Sequence, residues 1–111
     1  MEIAQREKNG IIILDIEGEI KFINAQALKE HLAKLFASEQ PKVLLNFSKV
    51  KEVDSSGIGT LIQNFSSYKK KGGAIKFVHV SDTIFTLFKI TKLDRIFEVF
   101  DTEEEALKSY T

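Results

Sequence analysis

Apolar residues follow two different periods along this chain of 111 residues, and the two periods alternate. Short, nearly continuous apolar runs predict buried strands at Ile11–Glu17, Val43–Phe47, Ala74–Val80 and Phe97–Phe100. Apolar residues three and four positions apart predict helices between them, on the sets Leu28/Leu32/Leu35/Phe36, Ile58/Leu61/Ile62/Phe65 and Ile84/Leu87/Phe88. Strands that alternate with helices indicate an α/β domain with a mixed, mostly parallel sheet.

Turn and capping residues mark the ends of these segments. Asn9-Gly10 predicts a hairpin that joins an N-terminal strand, Ile3–Glu7, to the first buried run, because both turn residues tolerate positive φ. Gly18 ends or bends the buried strand that follows. The predicted helix caps are Asn24, Ser81 or Asp82, and the capping-box segment Asp101-Thr102-Glu103-Glu104. No linker or repeat interrupts the pattern, so we expect one domain over residues 1–111.

Composition excludes several classes of function. The chain has 16 basic and 16 acidic residues, and this zero net charge argues against a broad electrostatic grip on nucleic acid or on an anionic membrane. The absence of Cys excludes a disulfide framework, a thiol nucleophile and a zinc ribbon. The N-terminus has no signal-peptide pattern and the apolar runs are too short to span a membrane. We therefore expect a cytoplasmic protein that binds no cofactor and no metal.

The candidate chemistry is concentrated in one segment, Asp54-Ser55-Ser56-Gly57-Ile58-Gly59. It lies between a predicted strand and a predicted helix, where side chains are exposed and backbone N–H groups lack helical partners. A hydroxyl at such a place is suited to carry a phosphate. The alternative is a plain helix start in which Asp54 or Ser56 is only the cap. The glycines at 57 and 59 would let a partner approach closely, while the helical register of Ile58 favours burial in the core.

This segment and its surroundings resemble the anti-sigma factor antagonist family, the single-domain members of the STAS group. The resemblance extends over Glu17–Ile20, Val43–Ser48, the D-S-S-G-I-G motif, Lys71–Gly73 and Phe85–Phe97. It implies the STAS fold, an α/β fold with a mixed, mostly parallel β-sheet and β-α superhelical connections. It also implies that Ser55, the serine directly after the aspartate, is a phosphorylation site at the start of the second long helix.

The resemblance further implies a cycle of partner exchange in a bacterial cell. The unphosphorylated antagonist binds an anti-sigma factor, itself a serine kinase of the histidine-kinase-like ATPase type, and a sigma factor is released to act in transcription. The kinase phosphorylates Ser55 and the complex separates, and a metal-dependent serine phosphatase then restores the antagonist. The chain would thus be a substrate and a ligand, not an enzyme. The predicted partner-binding residues are Asp54, Ser55, Ser56, Gly57, Ile58, Gly59, Lys21 and Phe22.

The loop after the second strand departs from the family pattern. The family usually has an aspartate after Gly-Glu-Leu/Ile, whereas this chain has Gly18-Glu19-Ile20 followed by Lys21, so the charge is reversed. Lys21 is either a solvated loop lysine or a contact for an acidic patch on a partner. Phe22 beside it is either an exposed anchor or an inward-facing staple residue.

Other functions remain as alternatives. The same fold occurs in a scaffold protein of a stress-signalling assembly and in the STAS subunit of a lipid-transport ATPase complex, neither of which fits the free-standing motif as well. A serine hydrolase or nucleotide hydrolase would need a base. The only histidines are His31, near the apolar edge of the first helix, and His79, in the buried pattern of a strand. We interpret both as packed or surface histidines.

Overall fold

A five-stranded sheet with four α-helices forms the part of the chain that the computed structural model describes, residues 1–110. In chain order the elements are β1 (Glu2–Lys8), β2 (Ile11–Ile20), α1 (Ala25–Leu35), β3 (Lys42–Val53), α2 (Ser55–Lys70), β4 (Ala74–Val78), α3 (Asp82–Ile90), a 3-10 turn (Leu93–Arg95), β5 (Val99–Phe100) and α4 (Glu103–Lys108). The strands lie side by side in the order β1-β2-β3-β4-β5. β1 is antiparallel to β2 and the other neighbours are parallel, which confirms the predicted mixed, mostly parallel α/β sheet.

The N-terminal hairpin forms at the predicted turn. Asn9 and Gly10 have φ values of 56° and 77°, and Lys8 pairs with Ile11 on either side of them. The chain therefore reverses in two residues that tolerate the left-handed region.

The first buried run is covered on both faces of the sheet, as predicted. Leu14 and Ile16 pack in the larger core with the apolar faces of α1, α2 and α3. Ile11 and Ile13 point to the opposite face, where they form a smaller core with α4. Alternate residues of β2 thus enter two different cores, which explains why the sequence reads as continuously apolar.

Gly18 bends β2 and does not end it. Its φ is 107°, the pairing register with β3 shifts directly after it, and β2 continues to Ile20. β3 is also longer than predicted, because it extends past Phe47 to Val53. Ile20 and Val53 are register partners, so the two strands end next to each other. The loop after β2 is therefore brought to the start of α2.

The predicted caps of α3 and α4 are confirmed at Ser81 and Thr102, whereas the predicted end of β4 is wrong. Ser81 Oγ accepts a hydrogen bond from the Ile84 N–H (3.3 Å), and Thr102 Oγ1 accepts one from the Glu105 N–H (3.2 Å). β4 ends at Val78, so the buried position predicted for His79 is wrong. His79 is exposed beyond the strand, with a φ of 58°. Among residues 1–110 no helix has the length and the apolar character needed to cross a bilayer.

Candidate functional site

The second long helix begins at Ser55, and Asp54 caps it. Asp54 has extended backbone geometry, and its Oδ1 accepts a hydrogen bond of 2.8 Å from the Gly57 N–H. This is the standard arrangement for an aspartate at an N-cap, where a side-chain oxygen satisfies a free N–H of the first turn. Of the two residues considered for the cap, Asp54 fills the role and Ser56 does not.

Ser55 is exposed at the first position of α2. Within the described part of the chain its hydroxyl makes no hydrogen bond, so the oxygen is not occupied by the protein itself. The N-terminal end of a helix carries a partial positive charge, and an anion there is favoured by about 0.3–1 kcal/mol when it is exposed. The site can therefore accept a phosphoryl group on the Ser55 oxygen without rearrangement of the core.

The three motif residues after the serines divide between the core and the surface. Gly57 is buried, and a Cβ added to it would lie 2.4 Å from the Ile20 carbonyl oxygen. Ile58 is 8 % exposed and belongs to the larger core, as its register predicted. Gly59 is exposed, with open space around its Cα. The close approach predicted for both glycines is thus wrong for Gly57, which packs against its own chain, and remains open for Gly59.

The loop between β2 and α1 lies against the motif and is held by side chains. Asn24 occupies the N-cap position of α1, as predicted, but its side chain does not make a capping hydrogen bond. Its Oδ1 accepts from the Lys21 N–H (2.9 Å) and its Nδ2 donates to the Glu19 carbonyl (2.8 Å). On the other side, Oδ2 of Asp54 accepts a hydrogen bond of 3.0 Å from the Phe22 N–H. Two side chains therefore fix the backbone of this loop beside the first turn of α2.

Two large apolar side chains project from this loop into solvent. Phe22 is 82 % exposed, which excludes the inward-facing staple and leaves the anchor interpretation. Ile23 is 89 % exposed and was not singled out from the sequence. The available signal was an adjacent apolar pair outside the helical period of the segment that follows. We call the surface formed by Phe22, Ile23, Asp54, Ser55 and Gly59 the Ser55 face; exposed apolar side chains in a fixed position are typical of binding surfaces.

Lys21 is not a free loop lysine, because it is paired with carboxylates of its own chain, and its contact with an acidic patch on a partner stays a prediction. Its Nζ lies 3.2 Å from Oε2 of Glu52 and 3.5 Å from Oε2 of Glu19. The hydrogen bond with Glu52, followed by the charge of Glu19, raises the pKa of Lys21 above its usual value. Two carboxylates, those of Glu19 and Glu52, thus pair with one ammonium group, and Asp54 adds a third negative charge nearby. The rim of the Ser55 face is therefore net negative in spite of the reversed charge at residue 21.

Asp54 remains ionised at neutral pH. The pKa of its carboxyl lies below the usual value, first because the Phe22 N–H donates to it and next because the Gly57 N–H does. Hydrogen bonds to the charged form of a carboxyl always favour that form. A phosphate on Ser55 would thus be placed next to an existing negative charge.

The described residues do not assemble an enzyme-like site around Ser55. His31 is half-buried on α1, with its Nε2 2.8 Å from the Gln5 Oε1, and His79 lies beyond β4. Neither histidine forms a hydrogen bond with the Ser55 hydroxyl, and within residues 1–110 no group of three His, Asp or Glu side chains is placed to hold a metal ion. What the arrangement offers is an accessible hydroxyl beside two exposed apolar side chains.

Comparison with known proteins relates the chain to the STAS domain and to proteins named anti-sigma factor antagonists. The family model described as the STAS domain matches residues 2–106. The anti-sigma-B factor antagonist of Bacillus subtilis is 31% identical over 99 residues, which is 89% of this chain and 88% of that protein. An anti-sigma factor antagonist from Mycobacterium paratuberculosis superimposes with a TM-score of 0.86 at 22% identity, over 98% of this chain and 92% of that one.

A third solved structure shares the fold. The Bacillus cell fate determinant SpoIIAA in its phosphorylated form superimposes with a TM-score of 0.74 at 18% identity, over 99% of this chain and 100% of that one. At this identity the likeness concerns the fold alone. The match of the domain model to nearly the whole chain, together with the curated relative above 30% identity, shows that the chain belongs to the STAS domain family, among relatives named anti-sigma factor antagonists.

Proposed function

We propose that this protein is an anti-sigma factor antagonist that binds an anti-sigma factor through the Ser55 face. The observation that carries the proposal is the exposed Ser55 hydroxyl, which has no hydrogen bond within the described residues and lies beside the exposed Phe22 and Ile23. The names of the curated relatives support the class of partner. Binding displaces a sigma factor from the anti-sigma factor, and the exchange takes place in the cytoplasm, where transcription occurs.

The anti-sigma factor is in this proposal a serine kinase of the histidine-kinase-like ATPase type. It transfers the γ-phosphoryl group of ATP to the Ser55 Oγ, ADP leaves, and the hydroxyl proton passes to a base of the kinase. A phosphoserine carries about −1.5 to −2 charges at neutral pH. Asp54 and Glu52 already make this region negative, so a partner that fits the unmodified serine must now bury a dianion near other anions.

The expected loss of affinity on phosphorylation is large enough for a switch. If burying the phosphoserine dianion at the interface costs about 4 kcal/mol, binding weakens nearly a thousandfold. The fold itself should hardly change, because Ser55 is exposed and the start of a helix tolerates an anion. A metal-dependent serine phosphatase would reverse the step: water attacks the phosphorus, inorganic phosphate leaves, and the serine hydroxyl is restored.

The test compares partner recovery by four forms of the protein. Wild type, Ser55→Ala, Ser55→Asp and a matched control, Ser66→Asp, serve as baits in extract of the source cells, and bound proteins are identified by mass spectrometry. Ser66 is an exposed serine on the same helix, three turns further on, so its variant adds the same charge outside the Ser55 face.

We expect that wild type, Ser55→Ala and Ser66→Asp recover a histidine-kinase-like ATPase from the extract and that Ser55→Asp does not. Equal recovery of one partner by all four baits would remove Ser55 from the mechanism. If that partner were a transporter ATPase or a large scaffold, the protein would be a structural subunit and the proposal would be wrong.

A further inference from the structure

We propose that Asp54 is a positioning residue that holds the Phe22–Ile23 loop in its binding position through the second oxygen of its carboxylate. The inference rests on the proposed function, since it assigns a role within the Ser55 face. It goes beyond the capping of α2, for which one carboxylate oxygen is sufficient. The test below separates failure of this role from failure of the proposed function.

The two carboxylate oxygens of Asp54 accept hydrogen bonds from two different segments of the chain. Oδ1 accepts from the Gly57 N–H at 2.8 Å, within the first turn of α2. Oδ2 accepts from the Phe22 N–H at 3.0 Å, 32 residues earlier in the chain. The backbone of Asp54 is fixed as well, since its N–H donates to the Ile20 carbonyl at 3.1 Å. One carboxylate therefore connects the two chain segments that form the Ser55 face.

Packing does not hold the loop at this point. Phe22 and Ile23 are 82 % and 89 % exposed, so their side chains gain almost nothing from the core. The preceding residue, Lys21, is held by Asn24 and Glu52, and the hydrogen bond that the Phe22 N–H donates to Asp54 ties the loop to the start of α2. The N–H groups of Asn24 and Ala25 both donate to the Lys21 carbonyl, at 3.0 and 2.7 Å, so Phe22 and Ile23 form the tip of a closed turn. Without the bond to Asp54 the Phe22 N–H has no protein acceptor in the described structure, and this turn is free to shift relative to α2.

An ordered loop matters because a partner would otherwise have to order it on binding. Fixing mobile side chains and loops at an interface costs free energy that is subtracted from affinity, and a loop already in position avoids part of that cost. Apolar anchors such as Phe22 are effective only when they enter a partner pocket at a defined place. The Asp54 carboxylate should therefore affect affinity through the position in which it holds the loop.

Substitution of Asp54 can separate the cap from the loop contact. In Asp54→Asn the side chain keeps one acceptor oxygen and replaces the other with an NH₂ group, which cannot accept from the Phe22 N–H. Asparagine and serine are both good N-caps, so Asp54→Asn and Asp54→Ser should retain the bond to Gly57. Both variants should lose the bond to Phe22. Asp82→Asn is the matched control, because Asp82 is an exposed carboxylate in the first turn of α3.

The first measurement needs no partner. NMR amide exchange and amide temperature coefficients are recorded for Phe22 and Gly57 in wild type and the three variants. We expect exchange at Phe22 to be at least tenfold faster in Asp54→Asn and Asp54→Ser, with exchange at Gly57 changed less than threefold. Unchanged exchange at Phe22 would overturn the role of Asp54, and equal acceleration at both amides would reduce Asp54 to a helix cap.

The second measurement is the affinity for the anti-sigma factor recovered with wild type. We expect about tenfold weaker binding for both Asp54 variants and no change for Asp82→Asn. If Phe22 is released while affinity stays the same, loop position does not control binding and the inference is wrong. If wild type itself binds no anti-sigma factor, the proposed function fails, whereas the exchange data still decide whether Asp54 holds the loop.

Discussion

The first turn of α2 lies so close to the end of β2 that a Cβ at Gly57 would be 2.4 Å from the carbonyl oxygen of Ile20. The same virtual atom would lie 2.7 Å from a methyl carbon of Val53. Both distances are below ordinary van der Waals contact, and one of them involves backbone that cannot turn away. The glycine is therefore what allows the start of α2 to pack against the ends of β2 and β3.

Because Gly57 is enclosed and Gly59 is open, we expect substitution by alanine to have opposite effects on stability at the two positions. Gly57→Ala should lower the free energy of unfolding by about 1–3 kcal/mol, because it overpacks a rigid site. Gly59→Ala should raise it by about 0.5–1 kcal/mol, because Gly59 is exposed, has open space around it and gains helix propensity as alanine. Urea denaturation of both variants checks the pair. Similar losses of stability in the two would contradict this assignment.

The sequence was sufficient for features that depend on neighbours within one element. The hairpin at Asn9-Gly10 and the burial of Ile58 follow from turn chemistry and local period. For the caps the sequence narrowed the choice to Asp54 or Ser56, to Ser81 or Asp82, and to the segment that contains Thr102. The motif was also placed correctly between a strand and a helix. These features need no knowledge of which strands are adjacent.

The remaining features depend on contacts between distant segments. The sequence does not reveal that Ile20 pairs with Val53, and this register decides that Gly57 is enclosed while Gly59 is open. It also decides that Lys21 meets Glu52 and that the Phe22 N–H meets Asp54. The position of the Phe22 backbone beside α2 follows from the same pairing. Local patterns could not distinguish these outcomes because the partners lie about thirty residues apart.

The exposed pair on the loop should contribute to binding and not to stability. Phe22→Ser and Ile23→Ser should each weaken binding to the anti-sigma factor tenfold or more, since apolar anchors dominate such interfaces. Their unfolding free energies should stay within about 0.5 kcal/mol of wild type, because neither side chain is in the core. Ile90→Ser is the control, because Ile90 is 74 % exposed but lies at the end of α3, outside the Ser55 face. Calorimetric titration provides the affinities, and equal values for all four proteins would place the binding surface elsewhere.

The core face of α2 gives a direct test of the register of this helix. Leu61 is 1 % exposed within the larger core, whereas its neighbour Ile62 is 40 % exposed. Leu61→Ala should cost about 2–5 kcal/mol through lost burial and the cavity left behind. Ile62→Ala should cost less than about 1 kcal/mol, since it removes partly solvated surface and gains helix propensity. Chemical denaturation measures both, and a larger effect at Ile62 would mean that the helix is rotated.

A cluster of charges ties the hairpin to the C-terminal helix. The Arg6 guanidinium donates to both oxygens of Asp15, at 2.7 and 3.1 Å, and also to Glu103 at the start of α4. Asn46 of β3 adds a hydrogen bond of 2.7 Å to Asp15. The contact with Arg6, and then the bond from Asn46, hold the pKa of Asp15 below its usual value, and Arg6 lowers the pKa of Glu103 in the same way.

This cluster predicts a loss of stability in acid. In the unfolded chain both carboxyls take up protons near their ordinary pKa values, about 4, while in the folded protein they stay ionised to lower pH. The unfolded state then binds more protons, so stability falls as the pH drops below about 4 and through the lowered pKa values. Urea midpoints between pH 7 and pH 3 should fall less steeply for Asp15→Asn than for wild type. The control Asp94→Asn, at an exposed carboxylate without an ion pair in the described residues, should follow wild type. Parallel curves for wild type and Asp15→Asn would show that the Arg6 cluster does not set the acid limit of the fold.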